Sequence, residues 1–244
     1  MKTAILTPLQ AELALLVAAL EQFGLQKSAF RCGRLELFEF SEVDLLVAHG
    51  GHGKTQFGIQ AQYLLGQVPQ IQLLVCAGAA GALSPALKVG DVVVATETVE
   101  HDYKLKFVSR PLPRFAGSQP VLEVLRNLPQ TEAAFAVHFG AVASGDEDIV
   151  DAARGQALRH LTDCLAVAWE GAGGARACQF NQKGYIELRG VTDTADQQAA
   201  AAFEANLATA MCHLAQVVMR WRVTLSPSSA VLQDVGAARR AVSG

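Results

Sequence analysis

The amino-acid sequence predicts an α/β fold in which helices cover both faces of a mainly parallel, twisted sheet. Short apolar runs alternate with segments of helical period along most of the chain, the pattern of parallel strands joined by crossover helices. We find no linker or internal repeat that would divide the 244 residues, so one domain is expected over residues 1–224. Residues 225–244 lose the periodicity and are typical of a mobile C-terminal extension.

Strands are predicted where short apolar stretches stand between glycine, polar or charged residues. In chain order they are Thr3–Leu6, Val43–Ala48, Leu73–Ala77, Asp91–Thr96, Phe139–Ala143, Leu165–Ala168 and Tyr185–Leu188. Helices are predicted where apolar side chains recur at helical spacing, beginning with an amphipathic segment after the first strand. They are Leu9–Leu20, Lys54–Leu65, Val121–Leu128, Glu170–Phe180 and Gln197–Trp221.

Composition excludes several classes of function. The net charge is −3 and 51% of the residues are apolar, which indicates a soluble globular protein and gives no electrostatic reason to bind nucleic acid. No apolar run approaches the roughly 20 residues of a membrane span, and MKTAILTPLQ is a poor signal peptide. Scattered cysteines without CxxC spacing favour reduced thiols in a cytoplasmic protein over disulfides or zinc. They are Cys32, Cys76, Cys164, Cys178 and Cys212.

The stretch AHGGHGKT, residues 48–55, nearly matches the phosphate-binding loop G-x-x-x-x-G-K-[ST]. Ala48 occupies the position of the first glycine, and the following strand lacks the aspartate that would bind Mg²⁺. A nucleoside triphosphatase is therefore disfavoured against a simple glycine-rich strand-to-helix turn. A further alternative is that backbone N–H groups at this helix start hold a sugar hydroxyl, a water or an anion.

Charged residues follow the strand predicted at Tyr185–Leu188. Arg189 comes at once, and Asp193 lies just beyond. In open α/β sheets, ligands bind beyond the carboxyl ends of the strands. Groups that follow the other predicted strands are then expected beside these two residues. They are Glu12, GGHGK at 50–54, GAAG at 78–81, SGDED at 144–148 and Trp169 with Glu170.

A series of motifs carries a resemblance to a known family. In order they are LTPLQAEL, GHGK, VCAGAAGALSPALKVGDVVVA, ASGDEDI, AVAWEGAGGARAC and LRGVTDTADQQ. Over Met1 to about Trp221 they resemble the nucleoside phosphorylase and nucleosidase superfamily, especially its 5′-methylthioadenosine/S-adenosylhomocysteine nucleosidase branch. The resemblance implies a single nucleoside phosphorylase-like α/β domain with a partly barrel-like sheet. It also implies a small-molecule nucleoside substrate, a homodimer or larger oligomer, and no cofactor or metal.

The resemblance implies roles for individual residues. Asp193 corresponds to the acid that protonates the leaving base, Glu12 to the carboxylate that activates the attacking water, and Arg189 to the arginine beside that water. Glu170 corresponds to the glutamate that holds the ribose hydroxyls, and Trp169 replaces a methionine packed against the sugar. The small-residue loop near ribose and base, and a residue lining the base pocket, correspond to Ala79, Ala80, Gly81 and Ile149.

The chemistry of N-glycosidic cleavage requires these residue types. The reaction forms an oxocarbenium-like centre and a poor anionic leaving group, so it needs an acid near the base and a base near the anomeric carbon. Asp193 as the acid must hold its proton near neutrality, so burial must raise its pKa. Glu12 is expected to stay ionised with help from Arg189.

Each residue also has a purely structural alternative. Asp193 would cap the helix that follows it, and Glu12 lies in a first helical turn, where acids suit the helix dipole. Arg189 would pair with Glu187 or Asp196, and Glu170 would cap its own helix. Residues interpreted as helix-start, loop or hydrogen-bonded groups without a catalytic role are Asp196, His49, His52 and His101.

Departures from the branch pattern concern the substrate. Asp148 stands where these nucleosidases usually have a phenylalanine that stacks on adenine. Ala79 replaces a frequent serine, and Ala168 replaces the first glutamate of an E-M-E pattern. The expected substrate is therefore a purine or 5′-thio-substituted purine nucleoside, with methylthioadenosine itself in doubt.

The nucleophile is expected to be water. The family's phosphorylases usually carry an arginine in the loop matched here by CAGAAG, which has none, and Lys54 with Arg189 would make a thin anion site. Phosphorolysis and a non-catalytic nucleoside-binding module stay open as alternatives. The departures agree with a binding module, whereas retention of both proposed acids argues against it. If a partner chain contributes to the pocket, the segment EHDYKLKF at 100–107 is the expected contributor.

Overall fold

The computed structural model describes residues 1–128 and 134–225. In chain order the strands β1 to β10 are Thr3–Thr7, Ser28–Cys32, Leu35–Phe40, Leu45–His49, Leu73–Ala82, Val92–Glu100, Arg114–Ala116, Val137–Ser144, Ala166–Ala168 and Gly184–Asp193. The helices α1 to α6 are Gln10–Gln22, Gly53–Gln67, Gln119–Arg126, Ala152–Thr162, Gly171–Phe180 and Ala199–Leu225. Apart from Leu225, the C-terminal extension predicted at 225–244 lies outside the described residues.

Strand pairing closes part of the sheet into a barrel. β10, β6, β8, β9 and β5 form a ring, because β5 and β10 also pair directly. From β5 the sheet continues through β1, β4, β3 and β2. The sheet is mixed, with parallel pairing around β1 and β5 and antiparallel pairing in the hairpins and between β10 and β6. The prediction of an α/β domain with a partly barrel-like sheet is confirmed.

β5 is the strand at which the sheet branches. Along one edge it pairs with β10 over most of its length. Its other edge pairs with β1 as far as Cys76 and with β9 from Gly81. Between these two positions the β1 and β9 branches diverge, which opens the sheet at the kind of switch point where α/β folds bind ligands.

β5 and β10 extend further than predicted, and this corrects the placement of two groups. Arg189 lies inside β10, opposite Gly78 of β5, and residues 79–81 are part of β5. The prediction that Arg189 and the GAAG stretch follow strand ends is therefore wrong, whereas Asp193 is the last residue of its strand. Alanine and glycine have low strand propensity, so β5 continues through them only because distant β10 supplies a partner.

Some elements were not predicted at all. The β2–β3 hairpin lacks a clear apolar alternation, and β2 is almost entirely exposed. The short strand β7 is an edge addition to β6. Helix α4 is marked mainly by its N-cap, where the Asp151 carboxylate accepts a hydrogen bond from the Ala153 N–H at 3.2 Å.

The two largest apolar clusters of the core lie on opposite faces of the sheet, and two smaller clusters lie among the barrel strands. Helices α1 and α6 bury side chains such as Leu16 and Trp221 against one face, and α2 and α5 bury side chains such as Phe57 and Cys178 against the other. Along β1, Ile5 faces the first of these clusters and Leu6 the second, as alternation in a strand requires. No helix in the described part of the chain is long and apolar enough to span a membrane.

Candidate active site

A cavity of about 400 Å³ lies where the sheet opens, among residues that follow β1, β8 and β9 or end β5 and β10. Its walls are more apolar than polar, which is typical of small-molecule sites. Every residue that the family resemblance singled out for the site lines this cavity, whereas most of the turn at 50–54 does not. The residues singled out are Glu12, Ala79, Ala80, Gly81, Asp148, Ile149, Trp169, Glu170, Arg189 and Asp193.

Glu12 is a buried carboxylate with two fixed hydrogen-bond donors. Its Oε1 accepts from the Ala79 N–H at 2.7 Å and its Oε2 from the Leu9 N–H at 2.8 Å. Burial raises the pKa of Glu12 to about 7, although these donors and the charge of Arg189 act to lower it. Burial therefore opposes the charged form of Glu12 while Arg189 favours it, and ionisation of Glu12 with help from Arg189 stays a prediction.

Asp193 is held at the end of β10, and only 7% of the residue is exposed. Its Oδ1 accepts from the Ala195 N–H at 2.9 Å and its Oδ2 from the Thr192 hydroxyl at 2.8 Å. Burial raises the pKa of Asp193 in spite of these donors. The direction is the one that a general acid needs, as the sequence predicted.

Arg189 is fully buried and makes contacts in several directions. Its Nε donates to Glu187 at 2.7 Å, and its Nη2 donates to Glu170 at 3.2 Å. Its Nη1 donates to the Ala79 carbonyl at 3.2 Å, on the edge of β5 where the sheet opens. The structural alternative of a pair with Glu187 is thus correct, and it coexists with a position in the cavity wall.

Glu170 joins the cavity to the glycine-rich turn. Its backbone occupies the N-cap of α5, but the side chain does not cap that helix. Instead, its Oε1 accepts from the Gly53 N–H at 3.1 Å, while Oε2 faces Arg189. The Lys54 N–H of the same turn donates to Asp146 at 2.8 Å. Carboxylates of this chain therefore occupy the amides that a phosphate-binding loop would offer to phosphate.

Lys54 lies outside the cavity. Its ammonium group bonds to Glu100 at 3.2 Å and also to Asp102, and both contacts raise its pKa. The anion site that Lys54 and Arg189 together would have formed is therefore absent from the described residues. Arg189 is the one arginine or lysine among the described residues of the cavity wall.

Some wall residues had been given no role in the site by sequence reasoning. The His52 ring lies against Trp169, with ring centroids 4.3 Å apart, and its Nδ1 is 3.5 Å from Glu170. Phe203 and Glu204 enter from the first turns of α6. Helical periodicity marks one face of α6 but does not show that its start covers a cavity, so these two had no local signal.

The other residues denied a catalytic role behave largely as predicted. Asp196 accepts from the Gln198 N–H at 2.8 Å just before α6, and His49 bonds to the Pro8 carbonyl at 3.0 Å. His101 lies in a turn, but its buried ring nitrogens have no hydrogen-bond partner among the described residues. Of the two alternatives for this residue, a loop or a hydrogen-bonded histidine, the structure agrees with the loop.

Comparison with known proteins gives consistent matches over most of the chain. A family model described as the phosphorylase superfamily matches residues 2–221. A 5′-methylthioadenosine/S-adenosylhomocysteine nucleosidase from Exiguobacterium is 29% identical over 72% of this chain and 79% of its own length. An aminodeoxyfutalosine nucleosidase from Campylobacter jejuni is 27% identical over 82% of this chain and 88% of its own length.

Solved structures show the same fold. A 5′-methylthioadenosine/S-adenosylhomocysteine nucleosidase from Neisseria meningitidis, in complex with methylthio-immucillin-A, superposes with a TM-score of 0.80. It is 27% identical in sequence, and the match covers 91% of this chain and 98% of that one.

Proposed function

The chain belongs to the phosphorylase superfamily, and from this premise we propose that it is a nucleosidase, a hydrolase that cleaves the N-glycosidic bond of a purine nucleoside. The observation that carries the proposal is a pair of buried carboxylates, Glu12 and Asp193, on one cavity of about 400 Å³. Burial raises the pKa of both. The volume lies within the range of small-ligand pockets.

The two carboxylates divide the chemistry between them. Asp193, protonated, donates its proton to the departing base, so the base leaves as a neutral molecule. Glu12, ionised, accepts a proton from water as the water attacks the anomeric carbon of the oxocarbenium-like sugar. Each proton transfer is typically worth about 10²–10⁴-fold in rate. Glu170 holds the ribose hydroxyls, and Trp169 packs against the sugar.

Water is favoured over phosphate as the nucleophile. Phosphate binding needs several cationic or hydroxyl donors at one place. Arg189 already donates to two carboxylates and a carbonyl, and Lys54 is engaged outside the cavity. Phosphorolysis remains the second candidate because the family includes phosphorylases.

The substrate class rests on the relatives and on the cavity wall. Relatives named as 5′-methylthioadenosine/S-adenosylhomocysteine and aminodeoxyfutalosine nucleosidases support a purine nucleoside with a varied 5′ substituent. Ile149 and Phe203 offer apolar surface to a base. Asp148, exposed at the cavity, has a carboxylate that would accept a hydrogen bond from an amino-bearing or protonated base in place of ring stacking.

The predicted oligomer and cellular location belong to the same proposal. In the segment 100–107, Tyr103 and Leu105 are about half exposed and Phe107 is fully exposed. A contact with a second copy of the chain would cover these side chains. A cytoplasmic location is supported by the cysteines, all of which lie among the described residues and are unpaired.

Release of free base from a panel of nucleosides tests the proposal. The panel contains adenosine, inosine, 5′-methylthioadenosine, S-adenosylhomocysteine and uridine, each with and without phosphate. We expect base release from a purine member without phosphate. Release only with phosphate would identify a phosphorylase, and nucleoside binding without any release would identify a non-catalytic module.

A further inference from the structure

We propose that Glu187 is a positioning residue that fixes Arg189 and, through it, the carboxylate of Glu170. The inference rests on the proposed role of Glu170 in holding the ribose hydroxyls. Glu187 lies in the middle of β10 with 0% exposure, and it is not part of the described cavity wall. Any effect of Glu187 on a substrate must therefore pass through a neighbouring side chain.

Both oxygens of the Glu187 carboxylate are fixed by neighbours. Oε1 accepts from the Arg189 Nε at 2.7 Å, and Oε2 accepts from the Thr98 hydroxyl on β6 at 2.7 Å. Glu187 and Arg189 are two residues apart in one strand, so their side chains share a face of the sheet. With one oxygen bonded to Arg189 of its own strand and the other to Thr98 of β6, the carboxylate is held in one orientation.

The first residue of α5 makes room for this carboxylate. A Cβ at Gly171 would stand 2.0 Å from the Glu187 Oε2, so a side chain there would displace the acid. The carboxylate therefore lies against the N-terminal end of α5, directly beside Glu170, where the helix dipole favours negative charge. This contact explains how a buried carboxylate is tolerated at a position with a single cationic partner.

The position of Arg189 follows from that of Glu187. A guanidinium group is planar, so fixing its Nε fixes the plane in which its other nitrogens lie. In this plane the Nη2 reaches Glu170 at 3.2 Å and the Nη1 reaches the Ala79 carbonyl at 3.2 Å. Without the charge of Glu187, Glu170 would be the nearest carboxylate for the guanidinium, which would pull Glu170 away from the sugar.

Nucleoside binding by the full chain tests the inference. Turnover is blocked with Asp193→Asn, and dissociation constants are measured by calorimetry with and without Glu187→Gln. The probes are 5′-methylthioadenosine and inosine, each beside its 2′,3′-dideoxy counterpart. We expect Glu187→Gln to weaken binding of a ribonucleoside about tenfold, as for the loss of one charge-assisted hydrogen bond, and to leave the dideoxy form nearly unchanged.

Two further variants complete the design. Thr98→Val removes the hydroxyl that anchors Glu187 and keeps every charge, so a smaller loss with the same dependence on the hydroxyls is expected. It also tests the inference if Glu187→Gln does not fold. The matched control is Glu39→Gln, which removes a β3 carboxylate that pairs with Lys2. It should change the dissociation constant of neither the ribonucleoside nor its dideoxy form.

The outcomes separate the inference from the function on which it rests. Equal weakening of ribo and dideoxy forms would show a general structural role, and no weakening would show that Arg189 keeps its place unaided; either result overturns the inference alone. If neither ribonucleoside binds to the chain that carries Asp193→Asn alone, the proposed function fails and the inference fails with it.

Discussion

In the proposed mechanism, activity near neutrality depends on the ionisation of Glu12. The carboxylate must be charged to accept a proton from water, but burial raises its pKa to about 7. Asp193 must be neutral, and burial raises its pKa as well. In this mechanism only molecules with Glu12 ionised and Asp193 protonated can react, so activity depends on how the pair shares its protons.

This combination predicts a bell-shaped dependence of kcat/KM on pH. kcat/KM should decline at low pH, where Glu12 gains a proton and cannot accept one from water. It should also decline at high pH, where Asp193 has lost the proton that it would donate to the base. The measurement is kcat/KM for base release from pH 4 to 10, which reports the groups of the free enzyme. Glu39→Gln should keep the curve of the native chain, and a rate independent of pH between 5 and 8 would contradict the assignment of Glu12.

The glycines of β5 predict a second effect at the residue scale. A Cβ at Gly78 would stand 2.7 Å from the Glu12 Oε1, and one at Gly81 would stand 2.7 Å from the Asp193 Oδ1. Gly78→Ala and Gly81→Ala should each displace one carboxylate and reduce kcat by about 10²-fold, the typical loss for a misplacement near 1 Å. Initial rates with saturating substrate measure this loss.

A matched glycine provides the control for these rates. A Cβ at Gly66 of α2 has no atom within 4 Å, so Gly66→Ala should keep the native kcat. Unchanged kcat in the β5 variants would show that the two carboxylates are not held as described.

At this scale the residue types of the site and the pair of Arg189 with Glu187 were predictable, but partners from distant segments were not. Glu12, Glu170 and Asp193 were identified through motifs, because each motif is local in sequence. The tie between Glu187 and Thr98 depends on the pairing of β10 with β6, which no local pattern reveals. The contact of His52 with Trp169 likewise joins segments that are distant in sequence.

At the scale of elements, α2 and α5 pack closely through glycines. A Cβ at Gly173 would stand 2.2 Å from the Lys54 carbonyl oxygen, which is backbone and must shift to admit it. Gly173→Ala should therefore lower the free energy of unfolding by about 1–3 kcal/mol, as overpacking of a core does. Thermal unfolding measures this, at about 2–4 °C per kcal/mol for a domain of this size.

Gly66, the exposed glycine of the same helix pair, predicts a gain in stability on substitution instead of a loss. Gly66→Ala replaces a flexible residue in α2 without a clash, so it should raise stability by up to about 1 kcal/mol. A lower melting temperature for Gly66→Ala, or none of the expected loss for Gly173→Ala, would contradict the close packing of α2 on α5.

Element boundaries show where sequence reasoning stops. The five predicted helices and most of the predicted strands lie within a few residues of the observed ones, because burial on one side leaves a periodic pattern. The predictions for β5 and β10 were too short, since an Ala-Gly run and a buried arginine are unusual in strands. These residues are part of strands because β5 and β10 pair with each other in the closed barrel. The β2–β3 hairpin was missed because an exposed edge carries little apolar signal.

At the scale of the whole molecule, the fold class was predictable and the closure of the barrel was not predictable from composition or periodicity. Alternation of strands and helices indicates an α/β fold, but only the resemblance to a family suggested a partly closed sheet. Closure matters for the proposed function because it pairs β10, with Arg189 and Asp193, along one edge of β5. Glu12 comes from near the start of the chain and is held at the opposite edge of β5, where its carboxylate accepts a hydrogen bond from the Ala79 N–H.

The central claim is that Glu12 and Asp193 together hydrolyse an N-glycosidic bond. Its most direct test is the initial rate of base release, in phosphate-free buffer, by the native chain, Asp193→Asn and Glu12→Gln. Asp196→Asn, which changes an exposed carboxylate of the same stretch, is the control. We predict release by the native chain and the control, and a loss of about 10²–10⁴-fold in each of the other two variants. Base release that survives Asp193→Asn, or that requires phosphate in the native chain, would contradict the account.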